Sequence, residues 1–176
     1  MIIDINEYFN LKDYKVKNLK KGDIYDIQNL CERCSDYFCI DQGSGPDRDE
    51  GRKILEILPP QKGIRDKFVL GVYNTEKRLI GLIDIVKNYP TENEWMLGFL
   101  LIDPDERNKG LGKLLHNALI YWVRNEKGKK IRIGVLNENE KAFRFWSSLG
   151  YKLINKNKLQ RKGKEDKEIL VMNYYL

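Results

Sequence analysis

Apolar residues recur along this chain in two rhythms, every second position and every third or fourth, and the switches between them mark its elements. Ile24, Ile27, Cys31, Cys34 and Phe38 keep helical spacing and predict a helix over 23–38. Gln42–Gly45 breaks that pattern, 47–58 resumes as a second short helix, and Pro59-Pro60 stops it. Over 111–127, Leu111, Leu114, Leu115, Ala118, Leu119 and Trp122 form one stripe, with Gly128 expected as a left-handed cap. Ala142, Phe145, Trp146 and Leu149 mark a last helix closed by Gly150. Apolar alternation or short apolar runs predict strands at 14–18, 67–73, 79–88, 94–102, 131–135, 151–156 and 168–175. The strand at 94–102 is apolar on both faces, which predicts a central position covered by helices on both sides.

The order is therefore β-α-α-β-β-β-α-β-α-β-β, an α/β (α+β) arrangement with a mixed sheet and helices on both faces. No repeat, linker or low-complexity tract divides it. One domain is expected over 14–176, with 1–13 as an N-terminal extension of the same unit. The 176 residues suffice to bury a substantial core. No apolar run approaches the roughly 20 residues that span a bilayer, and no basic-then-apolar leader opens the chain, so no membrane partner is expected.

A formal net charge of +6 and a pI near 9.1 raise the question of a nucleic-acid partner. The charge is localised: residues 1–106 sum to −5, 107–132 to +7, 133–151 to zero, 152–167 to +5 and 168–176 to −1. Two basic blocks in an otherwise acidic chain make a local anion site at least as plausible as a general nucleic-acid face. The cysteines are Cys31, Cys34 and Cys39, an odd number that argues against a disulfide framework and for a reducing, cytoplasmic compartment. A single C-x-x-C with one histidine falls short of the four ligands of structural zinc, so no metal is expected. Cys31 and Cys34 read instead as small apolar residues on a buried helix face.

The chemistry concentrates in L-G-F-L-L-I-D-P-D-E-R-N-K-G-L-G-K-L-L, residues 97–115. A buried strand runs through a proline turn into Arg107-Asn108-Lys109-Gly110-Leu111-Gly112-Lys113, which opens the amphipathic helix. Unpaired N–H groups and the dipole at a helix start suit a phosphate, and Gly110 and Gly112 should leave its backbone approachable. The nucleoside-triphosphate loop is excluded because Leu114 follows Gly112-Lys113 where Ser or Thr is required. The dinucleotide fingerprint is excluded because Leu115 takes the place of its third glycine.

The remaining R-x-x-G-x-G resembles the acetyl-coenzyme A signature of the GNAT acetyltransferases, (Q/R)-x-x-G-x-(G/A). The block N-E-N-E-K-A-F-R-F-W-S-S-L-G-Y at 137–151 is similar to that family's closing N-x-x-A…L-G-(F/Y) helix and strand. The resemblance covers the element order from about Tyr14 onward. It implies a mostly antiparallel sheet of about seven strands with four helices on both faces. It further implies acetyl-CoA as co-substrate, an amine acceptor of unknown identity, and a monomer or homodimer. Main-chain amides of Arg107, Asn108, Lys109, Gly110, Leu111, Gly112 and Lys113 would hold the pyrophosphate. Leu101, Ile102 and Asp103 would meet the pantetheine arm in a gap between the strands at 94–102 and 130–135. Asn139 and Trp146 would also touch the coenzyme, and a Leu101 N–H would stabilise the oxyanion.

Direct attack of an amine on the thioester requires loss of a proton from an ammonium of pKa about 10. Glu94, at the start of the central strand, and Asp84, in L-I-G-L-I-D-I-V, are the base candidates, each with a structural alternative: a solvated charge and a hydrogen-bonded core carboxylate. Many relatives carry Tyr at the place of Trp146 as acid for the departing thiolate, and an indole cannot serve. The competing reading is a module that holds acyl-CoA without turnover or contacts RNA. His116 is expected to be solvated. Tyr37-Phe38 and the Gly43–Gly45 turn border the implied acceptor pocket or pack in the core. The basic turn at 156–167 is either solvated or a contact to an acidic acceptor.

Overall fold

The computed structural model describes residues 5–159 and 166–176. Residues 160–165, the middle of the predicted basic turn, lie outside the described residues. Seven strands form one sheet: β1 (Lys15–Asn18), β2 (Lys67–Tyr73), β3 (Leu79–Val86), β4 (Glu94–Ile102), β5 (Lys130–Leu136), β6 (Lys152–Leu159) and β7 (Lys167–Tyr175). Their spatial order is β1-β2-β3-β4-β5-β7-β6, antiparallel throughout except for the parallel pair β4–β5. The helices are α1 (Ile24–Arg33), α2 (Ser35–Gln42), α3 (Glu50–Glu56), α4 (Leu111–Asn125) and α5 (Glu140–Ser148).

Side-chain alternation in the strands sorts the core into two layers, one on each face of the sheet. One face packs Ile83, Ile85, Trp95, Leu97, Ile131 and Ile133 against α4 and α5. The other packs Val69, Leu82 and Leu101 against Ile27, Cys31, Cys34, Phe38 and Ile54 of α1–α3. β3 is buried along its whole length, as a central strand covered on both faces must be. Trp95 and Trp122 meet edge to face at 5.1 Å between centroids. The N-terminal residues belong to this layer: Ile5 and Phe9 are buried, and Phe9 packs edge-on against Trp122.

Two local expectations are corrected. The helix predicted over 23–38 is two helices, broken at Cys34, which gives five helices in place of four. The break preserves the apolar spacing, so periodicity alone does not register it. The left-handed residue after α4 is Lys127, at φ 61°, and not Gly128. Gly128 is needed for space instead, since a Cβ there would stand 2.4 Å from Val123 Cγ1 and 2.9 Å from Trp95 Nε1.

Candidate active site

β4 and β5 pair only from Glu94↔Lys130 to Leu97↔Ile133. Beyond that point β4 continues beside β3 and β5 beside β7, so the two strands open into a fork. The first residue past the last pair is a glycine on each side, Gly98 and Gly134, and both are exposed. A register shift between Asp84 and Ile85 leaves Gly98 as an extra residue in β4, which bends the strand away.

Main-chain direction in the fork follows from antiparallel alternation. The Asp103 N–H bonds Ile80 O at 2.8 Å, so the groups of Asp103, and of Leu101 two residues before it, turn toward β3. Leu100 and Ile102 face the fork. Of Leu101, Ile102 and Asp103, expected at the gap, the main chain of Ile102 faces it and that of the other two turns to β3. Ile102 O accepts from Arg107 Nε at 2.9 Å and from Cys34 Sγ at 3.5 Å. Asp103 is itself a buried structural carboxylate, bound by Arg33 Nε at 2.6 Å, Arg78 Nη2 at 3.0 Å and the Asp105 N–H at 3.1 Å.

The loop at 107–113 sits at the open end of β4. Asn108 and Gly110 are left-handed, at φ 62° and 84°, and Gly110 caps α4. A left-handed residue followed by helical Leu111 points consecutive N–H groups to one side, the concavity that receives anions. Asn108, Lys109, Gly110 and Lys113 are exposed here. The two glycines differ in purpose. A Cβ on Gly110 would meet nothing within 4 Å, whereas one on Gly112 would lie 3.0 Å from Phe145 Cζ and 3.3 Å from Ile102 Cδ1. Gly112 therefore admits α5 against α4, not an anion. Arg107 likewise turns away from the loop: its Nη1 and Nη2 bind both oxygens of Asp36, holding that carboxyl below its usual range, and join α2 to the loop.

The two base candidates part company. Glu94 lies at the closed end of the β4–β5 pair, bound by Lys130 Nζ at 3.0 Å, Arg132 Nη1 at 3.4 Å and Thr91 Oγ1 at 2.9 Å. Burial would raise its carboxyl, but these partners hold it below the usual carboxylate range. Asp84 is buried, and burial lifts its carboxyl to about 6 against the opposing pull of Lys67. Lys67 Nζ stands 3.1 Å from Asp84 Oδ2, while Oδ1 is buried with no hydrogen-bond partner among the described residues. Oδ2 also lies 3.4 Å from where a Cβ on Gly98 would stand, so the carboxylate borders the root of the fork.

Asn139 caps α5, its Oδ1 accepting from the Ala142 N–H at 3.1 Å. Trp146 is buried against Phe145 and Tyr151, with ring centroids 4.9 and 5.0 Å away. His116 contradicts its expected solvation. It is 3% exposed, ringed by Trp146, Tyr151 and Tyr174, and neither ring nitrogen has a hydrogen-bond partner among the described residues. Burial lowers its pKa to about 4. Cys31 and Cys34 are buried as expected, their thiols pushed up to about 12 and about 11 by that burial. Tyr37 meets both Phe38 and Phe99 edge to face, joining α2 to β4. Sequence reasoning misses Lys67, although a lysine two positions before Val69, on a strand able to pair with that of Asp84, is a signal for it.

The profile of the acetyltransferase (GNAT) family matches residues 24–151. The uncharacterized N-acetyltransferase YobR of Bacillus subtilis (strain 168) is 24% identical over 124 residues, 69% of this chain and 46% of that protein. The chain thus spans about half the length of this curated relative. An acetyltransferase structure from Thermus thermophilus superimposes with a TM-score of 0.69 at 19% identity, covering 93% of this chain and 97% of that one. The ribosomal-protein-S18-alanine N-acetyltransferase of Escherichia coli gives 0.68 at 15% identity, over 92% and 93%. At such identities the structures establish the fold alone, and it is the profile match over most of the chain that places this protein in the acetyltransferase (GNAT) family.

Proposed function

We propose that the protein transfers an acetyl group from acetyl-CoA to a primary amine, of a small metabolite or a protein N-terminus, by direct attack within a ternary complex. One observation carries the reading: the β4–β5 fork opens between the anion-binding turn at the start of α4 and a buried, half-bound carboxylate. The N–H groups of Asn108 to Lys113 would receive the pyrophosphate, and the main chain of Leu100 and Ile102 would line the arm. Acetyl-CoA supplies an activated acyl carbon. The chain's own residues then orient the amine and take its proton.

Asp84 is the base in this reading, and Glu94 is the clamp of the closed end. A carboxylate near pKa 6 accepts a proton closer to neutral pH than one held below its usual range. The amine nitrogen bonds the acyl carbon, its proton passes to Asp84, and the C–S bond breaks to release thiolate. With a thiol pKa of about 8.5, that departure needs no dedicated acid. Trp146 offers none, and burial pushes the Tyr151 phenol upward, away from acid function. The N–H cluster and the local +7 block fit a phosphate-bearing co-substrate better than RNA. We place the reaction in the cytoplasm, on the strength of three free cysteines.

Thiol release from acetyl-CoA across a panel of amino acids, polyamines, aminoglycosides and peptides tests the reading. Release with at least one amine class is expected. Tight coenzyme binding without release on any amine would replace it with a binding module.

A further inference from the structure

Lys67 opens β2, and its side chain is only 4% exposed. Burying an ammonium is unfavourable unless it is bound on every side. Its Nζ donates to Ile57 O, the carbonyl ending α3, at 2.7 Å, and pairs with Asp84 Oδ2 at 3.1 Å. The lysine therefore ties the end of α3 to the middle of β3.

The pair is asymmetric. One oxygen of Asp84 is anchored by Lys67, and the other is buried without a donor from any described residue. A buried carboxylate oxygen without a partner is an acceptor still to be satisfied. Strand pairing sets Val69 of β2 and Phe99 of β4 beside it, Gly98 lies next to it, and Lys67 is the charged group that acts on the carboxyl. The Gly98 side of this carboxylate is the root of the fork.

We propose that Lys67 is a positioning residue for acetyl transfer: by fixing Asp84 Oδ2, the oxygen beside Gly98, it holds the carboxylate charged at the root of the fork, where the ammonium of the acceptor arrives. The inference rests on the reading of Asp84 as base. It specifies in addition that the acceptor arrives as a cation, because a charged carboxylate beside Gly98 attracts one. Lys67 itself touches neither substrate and donates no proton to the reaction.

Lys67→Met leaves the Asp84 carboxylate without its counter-charge, which raises its proton affinity. The acid limb of the rate against pH then moves up by about two to three units. At pH 7 kcat falls about 10–100-fold and recovers as the pH is raised, while KM for acetyl-CoA holds. Lys67→Arg, which keeps the charge, restores the limb toward its wild-type position. The Lys67→Met, Asp84→Asn double variant removes both charges, so it regains the thermal stability that Lys67→Met loses and still lacks activity. Outcomes separate the two claims. If Asp84→Asn keeps wild-type turnover, the base reading fails. If Asp84→Asn is inactive while Lys67→Met keeps the wild-type limb and kcat, the positioning role of Lys67 alone is overturned.

Discussion

Asp84 in β3 and Glu94 in β4 are both buried carboxylates with cations against them, yet they are built for opposite ends. Glu94 accepts from Thr91, Lys130 and Arg132, so both of its oxygens are occupied where β4 and β5 are joined. Asp84 has one oxygen occupied, beside Gly98 where the strands part, and one buried without a partner among the described residues. A saturated carboxylate clamps two strands together and has nothing left to offer. A half-saturated one keeps affinity for a proton. Asp84 lies deeper among its neighbours and has fewer partners, so burial prevails there and lifts its carboxyl, whereas at Glu94 the partners prevail and lower it.

The largest effect that would break this contrast is on turnover. Asp84→Asn is expected to lower kcat about 100-fold or more while coenzyme affinity, read by calorimetry, stays within about threefold. Wild-type turnover in that variant would put the two carboxylates in one class. Next comes stability. Glu94→Gln leaves Lys130 and Arg132 without their anion, costing about 2 kcal/mol in urea unfolding, because both cations keep some solvent access. Activity per folded molecule should survive, and a loss equal to that of Asp84→Asn would merge the roles.

The pH dependence of folding sharpens the comparison further. Glu94 binds its proton more weakly folded than unfolded, so its stabilisation is present above its ordinary pKa of 4.5 and fades as the pH falls below it. Asp84 binds its proton more strongly when folded, so its contribution runs the other way and stability declines as the pH rises from 3.8 to about 6. Asp84→Asn should abolish that decline in urea titrations across the window.

The smallest predicted effect concerns His116, whose two buried nitrogens have no partner among the described residues. Its proton affinity is lower folded than unfolded, so it weakens the fold as the pH falls from 6.5 toward 4. His116→Phe should remove this acid loss and add about 1 kcal/mol at pH 7, since an apolar ring of similar shape leaves no unpaired polar atom. Thermal unfolding at pH 5 and pH 7 reads both.

Much of this organisation is legible in the residues, and what is not has a common cause. β2 and β4 fall where alternation and flanking turns put them, and the loop at 107–113 opens α4 as expected, because these are local signals. The break at Cys34 leaves no trace, since two abutting helices keep the same spacing as one. The family resemblance assigns Leu101, Ile102 and Asp103 to the fork, and of these Ile102 faces it, because antiparallel pairing with β3 takes the main-chain groups of the other two. Glu94 and Asp84 cannot be ranked from sequence, for their partners are Lys130, Arg132 and Lys67, brought to them only by strand pairing. Arg107 and Gly112 lie in the loop as expected, but their contacts, Asp36 and Phe145, come from α2 and α5.

The most direct test is the pH profile of kcat/KM for an accepted amine, at saturating acetyl-CoA, in the wild-type protein and in Asp84→Asn. A cationic acceptor meeting an ionised Asp84 predicts a bell, with an acid limb near 6 and a basic limb at the amine's own pKa of about 10. Asp84→Asn should lose the acid limb together with the rate. An Asp84→Asn protein with the same rate and the same acid limb would contradict the assignment of Asp84 as the group that takes the proton.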